Sequence, residues 1–257
     1  MHARAPLNPE SPSRTVGNLR LHRTPNRRSD RDVHIPWAAL HGAPLLTGLH
    51  PDHIADLLSR MAPRQVRRKE YVYLPYDPSE VLYIVLRGHV AVGSLDENGR
   101  ELAIDILGTG DLFGAFLGRS LSGGFARAVD DSVVATIARE EFDRYLEKYP
   151  AFAFRVMTAM SDRIHALERK LRALVFDDVR TRICRLLCEL HSRDGDARTG
   201  RLSVSLTHQD IASLVASSRE TASLHLSELK KGGYIDYDRR RIRVLSPLRL
   251  RAAAAHP

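Results

Sequence analysis

Residues 203–245 read SVSLTHQDIASLVASSRETASLHLSELKKGGYIDYDRRRIRVL, and their polar and apolar positions divide into two short helices and a hairpin. Thr207 stands where a helix needs an N-cap, and Asp210 places a carboxylate in the positive first turn that follows. Ile211, Leu214 and Val215 form the buried face of that helix, while Ala212 is small where a second helix must cross closely. Ala216 and Ser217 make the turn, and a positive φ at Ala216 would cost its methyl group about 1 kcal/mol. Ser218 caps the second helix, which is expected to bury Ala222, Leu226 and Leu229 and to expose Arg219, Glu220, Ser223 and His225. Gly232 and Gly233 end it. Tyr234 to Tyr237 and Ile242 to Leu245 then pair as a wing tipped by Arg239, Arg240 and Arg241.

Two helices meeting at a tight turn, with polar side chains on the N-terminal half of the second, suit entry into the major groove of double-stranded DNA. Arg219 can bind guanine O6 and N7 in bidentate fashion, and Glu220 can accept from cytosine N4. Thr207, His208 and Gln209 open the first helix, where side chains typically meet phosphate. Ser217, Ser218, Ser223, Leu224 and His225 complete the expected DNA-facing set, and the three wing arginines would lie along the phosphate backbone. A helical domain built only for packing gives no reason for polar residues to gather where base edges would be.

The charge distribution agrees. Of the formal net charge of +8 over 257 residues, residues 201–257 supply +5 from ten basic against five acidic side chains. Residues 1–35 supply +4 from seven arginines against three acids, and the stretch between, with 22 basic and 23 acidic side chains, is nearly neutral. A neutral body with a basic C-terminal module suits a polyanion, because Lys and Arg displace condensed counterions from phosphates; a solvated basic surface is the alternative. Pro6, Pro9, Pro12 and Pro25 among polar residues predict a disordered basic extension over 1–35, whose Arg-rich, acid-poor composition also resembles a transit peptide. No apolar core region marks a secretory signal and no apolar run is long enough to span a membrane, so a soluble cytoplasmic protein is expected. The two cysteines, Cys184 and Cys188, rule out a disulfide framework and any four-cysteine zinc or iron–sulfur site. One helical turn apart, they read as small buried hydrophobes, with a redox or metal-binding pair as the alternative.

Upstream, order is expected from Ile35-Pro36-Trp37, with a short helix after Leu49-His50-Pro51 that carries Ile54, Leu57 and Leu58. From Val66 to Ile137 strand-like segments alternate with turns: Tyr71 to Leu74, Val81 to Leu86, Val90 to Val92, Leu102 to Leu107 and Val133 to Ile137. Asp96-Glu97-Asn98-Gly99 is a hairpin signal in which Asn-Gly supplies positive-φ positions. Many short strands joined by turns read as a small jelly roll or β-barrel. Helical spacing returns at Glu140-Glu141-Phe142, a short helix that Pro150 ends. Val156, Met160, Ile164, Leu167, Leu171 and Leu174 then alternate at steps of four and three, a heptad-like seam that predicts a dimerisation helix, with packing inside one chain as the alternative. Phe176-Asp177-Asp178 marks a hinge, a helix over Val179 to His191 follows, and the charged loop Ser192–Gly200 is expected to be mobile. The predicted organisation is α+β: a basic extension (1–35), a β-roll (jelly-roll) sensor domain (36–149), a dimerisation helix (150–176) and a winged helix-turn-helix (177–250).

Leu206-Thr207-His208-Gln209-Asp210-Ile211-Ala212 followed by Ser218-Arg219-Glu220-Thr221 resembles the catabolite activator and fumarate–nitrate regulator (Crp–Fnr) family of bacterial transcription factors. The similarity runs from about residue 45 to 249 and includes Tyr83 to Val90, Leu107 to Gly114 and the helix ending at Phe176-Asp177-Asp178-Val179. The resemblance implies a cyclic-nucleotide-binding-like β-roll, a coiled-coil dimer helix, inverted-repeat operators matched to a two-fold homodimer, and RNA polymerase as a further partner. Its effector pocket would fall at Phe113, Gly114, Ala115, Phe116, Ser122, Gly123, Arg127, Leu167 and Glu168.

At those positions the sequence departs from the members that bind cyclic AMP. Ala115 stands for the ribose-holding glutamate, Ser122 and Gly123 for the phosphate-binding Arg-Ser pair, and Leu167 and Glu168 for an adenine-reaching Thr-Ser pair. Arg127, on the C-terminal side of that pair, aligns with a later strand position. A buried cyclic phosphate without an arginine lacks compensating charge, so cyclic AMP is predicted not to bind, and the effector stays unidentified. The oxygen-sensing branch needs an N-terminal cysteine cluster that the sequence lacks. A haem-sensing branch needs an axial ligand, for which His34, His41, His50, His53 and His89 are candidates; another metabolite sensor or a constitutively active dimer are the other readings. Leu224 replaces a residue usually polar in the family and offers an apolar contact to a thymine methyl instead. A cupin-like metal enzyme is disfavoured, since the strands offer His89 without a His-x-His pair; no enzymatic activity and no metal site are expected.

Overall fold

The computed structural model describes residue 43 and residues 45–75, 80–114, 124–238 and 240–255. The extension expected over 1–35 and the ordered start at Ile35 lie outside these residues. In the sensor half, β1 (Ala62–Val66), β2 (Tyr71–Tyr73), β3 (Val81–Arg87), β4 (Val90–Leu95), β5 (Glu101–Leu107), β6 (Leu112–Gly114), β7 (Gly124–Ala128) and β8 (Ser132–Ala138) form two antiparallel sheets. Their orders are β1-β8-β3-β6 and β2-β7-β4-β5. The continuous apolar runs of β3 and β8 are buried on both faces. One face, with Tyr83, Val85 and Val134, meets Val72, Val90, Val92, Leu107 and Phe113 between the sheets. The other, with Leu82, Ile84, Leu86, Ala135 and Ile137, packs against α1 (Pro51–Ser59), α2 (Arg139–Lys148) and the start of α3 (Pro150–Phe176).

Two turns show how local chemistry sets this roll. Gly88 has φ +84 and a Cβ there would sit 2.5 Å from the Ser132 hydroxyl, so glycine is required. In the β4–β5 hairpin, positive φ falls at Gly99 but not at Asn98, contrary to the expectation from the Asn-Gly pair. The reason is Asp96, whose carboxylate accepts from the amides of Asn98 at 2.9 Å and Arg100 at 2.7 Å and so organises a longer turn.

Pro150 sits in the first turn of α3, where a missing N–H is harmless, so it starts one helix as it separates it from another. The seam read from sequence spacing splits between two faces. Val156, at 8% exposure, belongs with Phe152 to the core of its own β-roll, and Met160 packs partly against it. Ile164, Leu167, Leu171 and Leu174 are exposed, together with Phe154, Met157, Val175 and Phe176. Heptad spacing identifies an apolar stripe but not what the stripe meets.

Asp178 caps α4 (Val179–Asp194) by accepting from the Thr181 amide at 2.7 Å. This helix runs past His191 into the segment expected to be a loop, and Asp196 orders the turn beyond it by accepting from the amides of Arg198 and Thr199. The reader continues with α5 (His208–Leu214), α6 (Arg219–Lys231), the hairpin β9 (Ile235–Asp238) and β10 (Arg241–Val244), and α7 (Pro247–Ala255). Helix α7 was not foreseen in the sequence; its Leu250 and Ala254 are buried in the core that holds Ile183, Leu187 and Leu226. That core also includes Ala91, Ala103, Ile106 and Val129, so the reader is docked on the sensor.

Candidate nucleic-acid interface

Helix α5 begins with a reciprocal capping box. The Thr207 hydroxyl accepts from the Asp210 amide at 3.1 Å, and the Asp210 carboxylate accepts from the Thr207 amide at 2.9 Å. Ile211, Ala212 and Leu214 pack against Ala222, Leu226 and Leu229 of α6. The turn between them holds Ala216 at φ +50, and the Ser217 amide donates to the Ala212 carbonyl at 2.9 Å. Ser218 caps α6 by accepting from the Thr221 amide at 3.1 Å. At the far end Arg249 of α7 lies 4.7 Å over the Tyr234 ring and donates to the Gly232 carbonyl, fixing where the wing leaves the helix.

The outcome is one concave basic surface. Thr207, His208, Gln209, Arg219, Arg240 and Arg241 line it, with Ser205 and Asp238. Arg219, Glu220 and Leu224 are exposed, as the helical spacing predicts. Ser218 is exposed and Ser217 half-buried at the turn, and Arg239 lies outside the described residues. Ser223 and His225 are half-buried rather than free. The Ser223 hydroxyl is 2.9 Å from His208 Nδ1, and the His208 ring meets Tyr237 of the wing edge-on at 5.3 Å, so His208 ties α5, α6 and wing together. Burial, and then the Arg219 charge, hold the His208 pKa below the usual histidine range. His225 Nδ1 is 3.0 Å from the Glu228 carboxylate.

Lys69, from the turn between β1 and β2, lines the same surface. Reading the reader alone missed it, although the run Arg67-Arg68-Lys69 was visible as a local cluster of charge. Lys69 holds φ +69, a conformation that a side chain rarely adopts.

Of the expected effector residues, Phe113, Gly114, Arg127, Leu167 and Glu168 are among the described residues, and they lie on different faces. Phe113 stacks on Tyr83 at 5.1 Å and on Tyr73 at 6.3 Å between the sheets, and Gly114 ends β6. Ala115, Phe116, Ser122 and Gly123 lie outside the described residues. Arg127 is a correction. Its neighbours Ala126 and Ala128 point into the roll, so strand alternation turns Arg127 outward, where Nη2 lies 2.8 Å from Glu101 and 3.1 Å from Asp210. Leu167 and Glu168 are exposed on α3. Arg163 of α3 approaches Tyr73, partly offsetting the upward push that burial gives that phenol's pKa. Among the described residues the facing core is apolar and aromatic.

His89 Nδ1 is 2.7 Å from Asp130 and Nε2 is 3.2 Å from the Ser203 hydroxyl, so both ring nitrogens are engaged. His50 accepts from the Asp52 amide, His53 lies against Tyr149, and His34 and His41 are outside the described residues. Burial pushes the Cys184 thiol up to about 11 and raises Cys188 as well, which suits packing and not thiolate chemistry. Among the described residues no group of three His, Cys, Asp or Glu side chains is arranged to hold a metal ion, and no helix is long and apolar enough to cross a membrane.

Known proteins share this arrangement. The model of the Crp-like helix-turn-helix domain matches residues 181–253, and that of the cyclic nucleotide-binding domain matches residues 63–149. The CRP-like cAMP-activated global transcriptional regulator of Mycobacterium tuberculosis is 27% identical over 197 residues, covering 75% of this chain and 88% of that protein. The cAMP-activated global transcriptional regulator CRP of Salmonella typhimurium is 31% identical over 160 residues, covering 60% of this chain and 75% of that protein. FixK2 from Bradyrhizobium japonicum superposes with a TM-score of 0.70 at 23% identity, over 77% of this chain and 98% of its own, which is a likeness of fold. With a β-roll, a long helix and a winged helix-turn-helix in this order, the chain belongs to the Crp–Fnr family of DNA-binding transcription regulators.

Proposed function

We propose that the protein is a homodimeric regulator that reads inverted-repeat DNA with α6 and does so without cyclic AMP. The observation that carries the reading is the concave basic surface on which Arg219, Gln209, Arg240 and Arg241 stand together. Arg219 and Glu220 address base edges, Thr207, Gln209 and the wing arginines address phosphates, and Leu224 offers an apolar contact to a thymine methyl. The exposed stripe Ile164, Leu167, Leu171 and Leu174 on α3 supports self-association. A two-fold dimer sets two copies of α6 against half-sites about 34 Å apart. RNA polymerase is the further partner that such a regulator would address. The aromatic stack of Tyr73, Tyr83 and Phe113 and the outward Arg127 support the exclusion of cyclic AMP.

Selection from random duplexes by the purified full chain tests the first part. Enrichment of an inverted repeat, with affinity falling steeply as salt rises, is expected; no preference over random sequence at moderate salt overturns it. Calorimetry tests the second, and micromolar affinity for cyclic AMP overturns it.

A further inference from the structure

Strand β5 is the outer edge of its sheet, and such an edge presents unpaired amides and carbonyls. Here the reader and the long helix cover it. Ser213 of α5 is buried; its hydroxyl accepts from the Ala103 amide at 2.9 Å and donates to the Glu101 carbonyl at 2.7 Å, serving two edge groups that a further strand would otherwise meet. Lys170 of α3 donates to the Ile104 carbonyl between these sites and the long helix.

Beside Ser213 stands an ion triad that spans the two domains. Arg127 of β7 donates Nε and Nη2 to both Glu101 carboxylate oxygens over 2.8–3.1 Å, and Nη2 also reaches Asp210 at 3.1 Å. The side chains of Arg127 and Asp210 are each 12% exposed and that of Glu101 is 22% exposed. The Tyr71 hydroxyl donates to Glu101 at 2.6 Å, and Asp210 is at the same time the capping-box carboxylate of α5. One guanidinium therefore neutralises a sensor carboxylate and a reader carboxylate together, and removing it leaves both partly buried without that counter-charge.

We infer that Arg127, with Glu101 and Ser213, is a positioning residue for DNA reading. It fixes α5, and through α5 the recognition helix α6, against the sensor, so that Lys69 and the basic residues of the reader share one surface with no effector needed. The inference rests on the DNA-reading function proposed above. A reader released from this seam spends only part of its time in the competent position, and its apparent Kd rises by the inverse of that fraction.

The test uses full-length Arg127→Met, Arg127→Lys and Ser213→Ala proteins on the operator selected by the wild type. Fluorescence anisotropy gives Kd, and circular dichroism and sedimentation follow fold and assembly on the same samples. Kd should rise about tenfold for Arg127→Met and Ser213→Ala, with helix content and assembly state unchanged, and Arg127→Lys should recover part of the loss. A packing role without positioning would lower the melting temperature and leave operator Kd alone. Folded variants that bind within twofold of the wild type, or more tightly, overturn the inference, and Ser213→Ala decides if Arg127→Met does not fold. A wild type that selects no operator overturns the DNA-reading function itself, and the inference with it.

Discussion

Replacing Ala216 by glycine should stabilise the protein. Ala216 holds φ +50 in the turn between α5 and α6, where an L side chain costs roughly 1–2 kcal/mol. The turn cannot relax to relieve this, because the Ser217 amide is bonded to the Ala212 carbonyl at 2.9 Å and both helices are packed into one core. Glycine removes the steric cost and returns about 0.5–1 kcal/mol through the greater freedom of the unfolded chain. The Ala216 methyl is exposed, so no apolar burial is lost with it. The net gain is about 0.5–1 kcal/mol, and each kcal/mol is worth roughly 2–4 °C in melting temperature for a unit of this size. Urea unfolding followed by circular dichroism should show a higher midpoint at an unchanged slope. Ser217→Gly is the control: Ser217 is not at positive φ, so glycine there should destabilise by about 0.5–1 kcal/mol. A lower midpoint for Ala216→Gly, or equal effects at the two positions, would refute the strain argument.

Arg219→Ala should weaken operator binding by about 1–3 kcal/mol and relax specificity at one base pair, and an unchanged footprint and affinity would remove its base-reading role. Leu171→Glu places a charge on the most regular part of the exposed α3 stripe, where Leu171 is 62% exposed, and should shift sedimentation from dimer to monomer; an unaltered profile would mean that the stripe does not mediate assembly. Lys69→Gly should raise the urea midpoint, because φ +69 suits glycine, and yet lower DNA affinity and the salt slope by about one contact; tighter or equal binding would take Lys69 out of the interface. The Asp56 carboxylate is held down to about 2 chiefly by the Lys148 ammonium, with Tyr149 and Arg60 assisting against the effect of burial. Its folded pKa lies below the unfolded 3.8, so its stabilisation is complete above that value and is lost as pH falls through about 2. Asp56→Asn should therefore flatten the acid-side fall in urea midpoint, and an unchanged pH dependence would count against the network.

The reader was the most legible part of the chain because its signals are local. Thr207 with Asp210, Ser218 with Thr221, and Gly232-Gly233 each act within a few residues, and the structure uses all of them as caps or terminators. Helix α7 escaped because Leu248, Leu250 and a run of alanines offer too little contrast between faces to announce a buried side. Val156 was misread for the opposite reason: its spacing is regular, but the first turns of α3 lie on the β-roll, and only the path of the chain says where one partner gives way to another.

Arg127 shows where sequence reading meets its limit and what lies beyond it. In isolation it is a basic residue near an expected phosphate site, and nothing within ten residues reveals that Glu101, 26 positions away, and Asp210, 83 positions away, will claim it. Strand alternation decided its direction, since the small residues on either side fill the roll. Once turned outward it faced the domain seam, where two carboxylates and an uncovered strand edge needed partners. A guanidinium that satisfies both carboxylates is not free to hold a ligand's phosphate, so the geometry on which the proposed coupling of sensor to reader rests also takes Arg127 out of the expected effector pocket. The docking proposed for the reader and the exclusion proposed for cyclic AMP thus draw on one side chain's orientation.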